Sequence, residues 1–271
     1  MNVSVVEETV PRRTQKNEST VVARQTNAPA TFTCGTLTSL ARRRAAGPFG
    51  GSDTGFIPPT LFIAHCEDGL AKAAATLAKR IVDCHRKRAD GKLANAAAEE
   101  TCEASARTKF DQKTAKLTGC PQCATDNFAT VKDVIELRLD ALNGRAYCDA
   151  TSGIPFGADD TGWLPGPGGN ACEDDIAEAT AKLFGRIVTC HRRRASGRYP
   201  DDAAEDDCEA IARHKFDLAA AKVFGCNNCL VASVMTLPEE LEEDLDADNG
   251  LVFCASPGGA FLDPTENSGR R

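Results

Sequence analysis

The sequence predicts an all-α fold built from two tandem antiparallel helical hairpins, each stapled by disulfides and followed by a third short helix. Eight of the 13 cysteines form two sets of four, in which neighbouring cysteines stand 18 residues apart. The two sets are related by a constant offset of 106 residues. Between the cysteines, apolar residues recur at steps of three and four, the pattern of an amphipathic helix.

The 18-residue spacing determines how these eight cysteines can pair. Eighteen residues make five helical turns and rise about 27 Å, whereas the Cα atoms of a disulfide lie within about 7 Å. Two cysteines on one helix therefore cannot bond, but a hairpin that turns near residue 93 or 199 brings the facing pairs together. The spacing predicts Cys66–Cys120, Cys84–Cys102, Cys172–Cys226 and Cys190–Cys208.

The third helix of each unit is predicted at about 127–142 and 238–247. Pro238 suits its first turn in the second unit, and Asn143-Gly144 and Asn249-Gly250 suit its end. One cysteine remains on either side of each helix. Six cysteines allow 15 connectivities, and elimination gives Cys123–Cys148 and Cys229–Cys254 as the remaining pairs.

The repeats divide the chain into five segments and predict an elongated molecule. Residues 48–58 resemble residues 155–165, so the sequence before residue 66 resembles the end of an earlier repeat. Cys34, the odd cysteine, falls in that remnant and is expected to be a free or intermolecular thiol. The segments are an N-terminal tail with the remnant (1–65), a first copy (66–148), a Gly/Pro-rich linker (149–171), a second copy (172–254) and a C-terminal tail (255–271).

The cysteine content predicts a secreted or extracellular protein, because disulfides persist in oxidising compartments. Residues 1–33 contain no apolar run of signal-peptide length, so the chain is expected to be processed or a fragment. No apolar run approaches the roughly 18 residues of a membrane span. Neither a membrane span nor a nucleic-acid partner is expected.

Two C-x-x-C motifs, Cys120–Cys123 and Cys226–Cys229, carry the spacing of redox and zinc sites. No strand pattern precedes them, as a thioredoxin-like motif requires, and zinc needs two such pairs close together or a nearby histidine pair. Structural disulfides are the preferred interpretation, with metal binding and redox chemistry as the alternatives. His85 and His191 directly follow cysteines, but no haem attachment motif is present.

A run of basic residues ends the first helix of each copy. Cations at a helix C-terminus complement the helix dipole, and such a run is also suited to contact with a polyanion or an acidic partner. The helix-end interpretation is preferred, and the polyanion contact is the alternative. The residues concerned are Arg86, Lys87, Arg88, Arg192, Arg193 and Arg194.

The acidic series Asp244, Asp246 and Asp248 imitates the start of a calcium loop, but its glycine is one place late and Ala255 stands where glutamate is needed. Only Asp140 represents this series in the first copy. Helix-end composition explains it better. No nucleophile–base pair recurs in the copies and no phosphate loop is present. The sequence thus predicts no enzyme, catalytic residue, cofactor or metal ligand.

The repeat unit resembles the uncharacterised cysteine-rich helical-hairpin repeats of large proteins exported by deltaproteobacteria and related environmental bacteria. The likeness covers about residues 66–256 and depends on the twelve paired cysteines, Lys109-Phe110, Lys215-Phe216, Ala115-Lys116 and Ala221-Lys222. It implies export and repetition, and it implies no catalytic activity.

The leading functional hypothesis is a secreted, non-enzymatic structural or adhesive repeat protein that binds itself or a cell-surface partner. The first copy carries a net charge of +2 and the second −9. Unlike surfaces on a duplicated fold are suited to head-to-tail self-association, which can propagate. The simpler explanation, to which the sequence gives equal weight, is that the acidic surplus keeps the second copy soluble. The alternative hypothesis is a ligand- or metal-binding module that uses the C-x-x-C and Cys-His positions.

Overall fold

A computed structural model describes residues 48–166, 171–222 and 226–256. Seven α-helices make up most of this part of the chain, which confirms the mostly helical class. They are α1 (Leu61–Ala89), α2 (Ala96–Thr114), α3 (Gln122–Ala146), α4 (Ala171–Ala195), α5 (Asp202–Ala220), α6 (Asn228–Ser233) and α7 (Leu237–Val252). None of these described helices has the length and apolar content to cross a membrane. Cys34 lies outside the described residues.

Side-chain caps and glycines set the limits of the helices that form each hairpin. Asn95 and Asp201 cap α2 and α5 by accepting hydrogen bonds from the backbone N–H groups of Ala98 and Ala204. The turns before these helices contain Gly91 and Gly197 at φ of 71° and 67°, a conformation that favours glycine. The hairpins α1–α2 and α4–α5 are each closed by two disulfides. All four pairings derived from the 18-residue spacing are thus confirmed.

The remaining four cysteines pair between the copies, so the pairing reached by elimination is wrong. Cys123 bonds Cys254, and Cys148 bonds Cys229. The physical reason is the packing of α1 against α4 and of α3 against α6 and α7. This packing sets the end of each copy's third helical segment beside the start of the other's. The arrangement also differs from the elongated one expected, because every described residue belongs to one compact unit.

Two short β-hairpins depart from the predicted all-α class. Strand β1 (Pro48–Gly50) pairs antiparallel with β2 (Asp53–Phe56), and β3 (Pro155–Gly157) pairs with β4 (Asp160–Trp163). A 3-10 turn at Ala150–Ser152 precedes β3. The segment predicted to be a linker therefore folds against the helices. The segment assigned to the N-terminal tail contains the other hairpin and the start of α1.

Each hairpin docks on the last turn of a helix through the same threonine contacts. In the first copy, the Thr161 hydroxyl accepts from the Gly144 N–H and donates to the carbonyls of Asp140 and Ala141. Asn143 donates its amide to the Thr161 carbonyl. A Cβ on Gly144 would lie 2.8 Å from the Thr161 hydroxyl oxygen. The Asn-Gly pair therefore serves hairpin docking, and α3 continues beyond it to Ala146.

The other hairpin repeats this docking at the far end of the chain. The Thr54 hydroxyl accepts from the Gly250 N–H and donates to the carbonyls of Asp246 and Ala247. Asn249 donates to the Thr54 carbonyl. The hairpin before the first copy thus covers the second copy, while the hairpin after the first copy covers the first. The hairpin near the start of the described chain is thereby joined to the helix at its end.

Candidate metal centres

Each copy gathers one histidine and four carboxylates at the point where its hairpin docks. The first cluster is His85, Glu99, Glu103, Asp140 and Asp160. The second cluster is His191, Glu205, Glu209, Asp246 and Asp53. All ten residues are buried, each less than 9% exposed. The helical members of the two clusters are related by the 106-residue offset, and the hairpin aspartates by 107.

Four elements bring the first cluster together. His85 lies on α1, Asp140 on α3 and Asp160 on β4. Glu99 and Glu103 stand four residues apart on α2, so both point from one helix face. The Cys84–Cys102 disulfide is adjacent in sequence to His85 and Glu103. It therefore joins α1 to α2 directly beside the cluster.

In the first cluster the donor atoms converge on the His85 ring. His85 Nε2 lies 2.9 Å from Glu103 Oε1 and from Asp160 Oδ1, 3.4 Å from Asp140 Oδ1, and 3.7 Å from Glu99 Oε1. Donor atoms of the histidine, Glu99, Glu103 and Asp160 all lie within 4.8 Å of one another. Phe156, fully buried, packs its ring edge-on against His85.

The second cluster has the same geometry. His191 Nε2 lies 2.9 Å from Glu209 Oε1, 3.1 Å from Asp53 Oδ1 and 3.3 Å from Asp246 Oδ1. Glu205 contributes the fourth carboxylate, and Phe49 packs on the histidine as Phe156 does in the first cluster. The two copies therefore place the same residue types in the same arrangement.

Hydrogen bonds within the described chain leave several of these carboxylate oxygens without a donor, although Ser52 donates to one oxygen of Asp246. Both side-chain oxygens of Glu99 and of Glu205 are buried without a hydrogen-bond donor, and one imidazole N–H can serve only one acceptor at a time. Buried charges are otherwise paired or coordinate metals. Each cluster therefore has more carboxylates than its single imidazole can balance.

The pKa values show the same imbalance. Burial, reinforced by the adjacent Asp160, raises the pKa of Glu99 to about 10. Burial likewise raises the pKa of Asp53 to about 10, although His191 opposes the rise. Burial alone would lower the pKa of His85, but hydrogen bonds to Asp140, Asp160 and Glu103 raise it well above its usual value. Without a bound cation, some of these carboxylates must therefore stay protonated, and a cation would displace those protons.

The spacing of the donors suits a single first-row metal ion. Such an ion lies about 2.1 Å from nitrogen and oxygen donors, so neighbouring donors in an octahedral shell stand about 3 Å apart and opposite ones about 4.2 Å. The measured separations of 2.9–3.7 Å, within an outer limit of 4.8 Å, fall in that range.

The sequence patterns predicted no metal ligand, and six of the ten residues stood out in none of them. The histidines were noticeable only as neighbours of cysteines, and Asp140 and Asp246 only as parts of a calcium-loop imitation. The other two aspartates of that series, Asp244 and Asp248, form ion pairs with Arg138 of the first copy. The available signal was identity between copies: Glu99 and Glu103 recur at the 106-residue offset, and the hairpin aspartate recurs in both linkers.

The cysteines of the C-x-x-C motifs do not form a metal or redox site of their own. Cys120, Cys123, Cys226 and Cys229 are each bonded to a different, distant cysteine. Their sulfurs are therefore committed to four separate disulfides. The C-x-x-C version of the metal-binding alternative is wrong.

The basic runs lie in the last turns of α1 and α4, and several of their members contact the chain itself. Arg86 lies 3.4 Å from Glu178, and Arg192 lies 2.5 Å from Asp68. Arg194 donates to the Pro200 carbonyl. These contacts agree with a helix-end role, and the polyanion contact stays a prediction.

A buried carboxylate outside the clusters offers a contrast. One oxygen of Glu67 accepts hydrogen bonds from the backbone N–H groups of Cys254 and Ala255. Burial nonetheless raises the pKa of Glu67 from 4.5 to about 8, against these two hydrogen bonds. Between those values the native state holds a proton that the unfolded state has lost. The stability due to Glu67 is complete below pH 4.5 and is lost as the pH rises towards 8.

Replacing Glu67 by Gln should therefore flatten the decline of stability between pH 5 and 8, since the amide keeps an acceptor oxygen and cannot ionise. The wild type should lose up to about 1.4 kcal/mol more than Glu67→Gln per pH unit across this window. Denaturant unfolding at both pH values measures it, with exposed Glu239→Gln as the control. Parallel pH profiles for wild type and Glu67→Gln would contradict the assignment.

Comparisons of the chain with protein-family models, with curated proteins and with solved structures found no match.

Proposed function

We propose that this chain is an exported, disulfide-stabilised protein that binds one divalent metal ion in each of two equivalent buried clusters. The observation that carries the proposal is the convergence, in both copies, of four buried carboxylates, several of whose oxygens have no hydrogen-bond donor, around a single imidazole nitrogen. Six disulfides among the described cysteines support export. The duplicated sequence supports a tandem arrangement of the two binding units.

The donor set favours Mn²⁺ among common divalent cations. Carboxylates suit manganese, magnesium and calcium, whereas imidazole suits the later transition metals. A donor set of one imidazole and several carboxylates is intermediate between these two preferences, which favours manganese. Calcium takes six to eight oxygen donors, whereas each cluster includes an imidazole nitrogen among its donors. Neither cluster contains a thiolate, which is the ligand that softer ions prefer.

The surroundings of the clusters favour holding an ion over transforming a substrate. The cavity beside His85 measures about 20 Å³, and the one beside His191 about 50 Å³. A single water occupies about 10–15 Å³ on this measure, so these spaces take one to a few waters and no organic substrate. The role that follows is metal storage, delivery or cross-linking of the fold.

A metal-stabilised unit is compatible with the structural or adhesive role predicted from the sequence. Cations that tie helices and hairpins together would serve a protein exposed outside the cell. No described contact bears on head-to-tail association, which stays a prediction with light scattering across a salt series as its test. Metal binding is the function that the site geometry favours.

Metal content of the folded, oxidised protein tests the proposal. After loading with Mn²⁺ and removal of free ion, mass spectrometry should find two ions per chain. His85→Ala and His191→Ala should each leave one, and the double variant none. Glu205→Gln should weaken the second site at least tenfold, because it removes a carboxylate ligand.

Asp207→Asn, an exposed carboxylate on the same helix as Glu205, is the matched control and should retain both ions. Parallel loading with Zn²⁺, Ca²⁺ and Mg²⁺ identifies the preferred ion. Retention of two ions by the double histidine variant would contradict the proposal, as would a wild-type chain that retains none of the four metals.

A further inference from the structure

We propose that the Cys190–Cys208 disulfide is a reduction site at which a small anionic thiol weakens metal binding by the second cluster. The inference deepens the proposed function and rests on it for its metal-binding part.

The position of the disulfide is the first observation. Cys190 directly precedes His191 on α4, and Cys208 directly precedes Glu209 on α5. The bond therefore joins the two helices beside two of the donors, which lie 2.9 Å apart. The other disulfide of this hairpin joins Cys172 to Cys226. On α4 it lies 18 residues, or about 27 Å, from Cys190.

The surroundings of the sulfur atoms are the second observation. Cys190 is 1% exposed and Cys208 is half-buried. Cys172 and Cys226 are both half-buried, and Cys226 lines another pocket whose charged members are Arg213, Asp217 and Glu239. Exposure therefore does not distinguish the two bonds, but the charge around them does.

Cys190 and Cys208 line a surface pocket of about 310 Å³, together with Arg186, Arg193 and Lys215. This volume suits a molecule of the size of a short peptide. The cationic lining attracts an anion, so the favoured reductant is a low-molecular-weight thiol that carries carboxylates.

The reaction uses two reductant thiols, which supply two electrons. The thiolate of the first attacks Cys208 Sγ, and the S–S electron pair leaves on Cys190 Sγ, which takes a proton. A mixed disulfide now joins the reductant to Cys208. The second thiolate attacks the reductant sulfur of that bond and releases the Cys208 sulfur, which is protonated. The products are two cysteine thiols and the disulfide of the reductant.

Weaker metal binding follows from the loss of preorganisation. Ile187 and Phe216 are buried further along the hairpin. Between the disulfide and the turn, however, Ala195 is the buried apolar residue of α4, and α5 has none. Alanine buries little apolar area, so this end of the hairpin is held weakly once the bond is broken. His191 and Glu209 must then be brought together at the expense of the ion's binding free energy.

The full chain, loaded with metal in a His85→Ala background so that only the second cluster is occupied, is titrated with reduced glutathione. Mass spectrometry after alkylation should find Cys190 and Cys208 modified before Cys172 and Cys226. Metal affinity should fall at least tenfold over the same range. Reduction of Cys172–Cys226 first, or unchanged affinity after reduction of Cys190–Cys208, would overturn the proposal.

Two sets of variants distinguish the effect of the disulfide's position from the effect of the charge in the pocket. Cys190→Ser with Cys208→Ser should lower the affinity at least tenfold, whereas Cys172→Ser with Cys226→Ser should leave it within about twofold. Arg186→Gln with Lys215→Gln should slow reduction by glutathione severalfold and leave reduction by uncharged 2-mercaptoethanol unchanged. Equal slowing with both thiols would overturn the assignment of the pocket.

The two proposals fail in different ways. If the chain binds no metal, the proposed function fails, while the order of alkylation still tests whether Cys190–Cys208 is the preferred reduction site. If the metal binds and survives reduction of that bond, the proposed function stands and the redox control is wrong.

Discussion

Removal of the bound ions from the folded protein is expected to lower the thermal unfolding midpoint by about 15 °C or more. A ligand that binds only the native state, at a thousandfold excess over its Kd, stabilises that state by about 4 kcal/mol. Two occupied clusters contribute about twice this, and about 2–4 °C accompany each kcal/mol in a domain of this size. The emptied clusters also retain buried carboxylates that are hard to ionise, as the raised pKa values of Glu99 and Asp53 indicate.

Thermal unfolding followed by circular dichroism, with Mn²⁺ and then with excess chelator, measures this effect. The variant that combines His85→Ala with His191→Ala is the control, and its midpoint should not respond to chelator. A wild-type midpoint that is unchanged when metal analysis confirms complete removal would show that the clusters do not bind ions strongly.

The two clusters should respond differently to chelation because their ligands are connected differently. The first cluster draws its donors from residues 85–160, whereas the second joins Asp53 to Asp246, 193 residues later. An ion in the second cluster therefore holds the hairpin of β1 and β2 to the far end of the chain. Hydrogen exchange at Phe56, whose N–H donates to the Phe253 carbonyl, should rise more on chelation than exchange at Trp163, which donates equivalently to Tyr147.

The intra-copy disulfides could be predicted because helix geometry leaves them no alternative. A spacing of five turns forces the facing cysteines of a hairpin together. The inter-copy disulfides could not be predicted in this way. A duplicated chain offers Cys123 two partners, Cys148 and Cys254, and no spacing distinguishes them. Only the packing of the copies does so.

A hint of that packing was present in α1. The apolar residues that recur at steps of three and four in α1 include Leu70, Leu77 and Ile81, and this face explains contact with α2. Ala71, Ala78 and Val82 are buried as well. A helix buried over so wide an arc needs a second partner, which here is α4. Alanine signals burial weakly because it suits exposed helix positions too, so the pattern is read easily only after the structure is known.

The clusters escaped prediction because their residues look like solvent-facing ones in sequence. Glutamates on a helix usually face water, and Glu99 and Glu103 lie among other polar residues of α2. Their burial depends on a hairpin aspartate that stands 57 residues after Glu103 in one copy and 156 residues before Glu209 in the other. The hairpin aspartate of the first cluster follows the helices that it contacts, whereas that of the second cluster precedes them. No fixed sequence spacing therefore identifies both sites.

Replacing Cys123 and Cys254 by Ser should lower the free energy of unfolding by about 4 kcal/mol. With the other bridges intact, the shortest covalent path between these residues runs through Cys148–Cys229 and two 25-residue segments. Closure of a loop of about 50 residues contributes about 4 kcal/mol in the chain-entropy model. Both sulfurs lie in buried residues, so the loss of packing adds to the entropy term.

Denaturant unfolding measures the loss, and thiol mapping of a single variant tests the connectivity behind it. In Cys123→Ser, the thiol newly open to alkylation should be Cys254, the partner in the structure. Pairing within a copy would instead release Cys148. The double variant should expose no additional thiol, because its remaining bridges are complete. Release of Cys148 would show that the disulfides form within each copy and would contradict the covalent link between the copies.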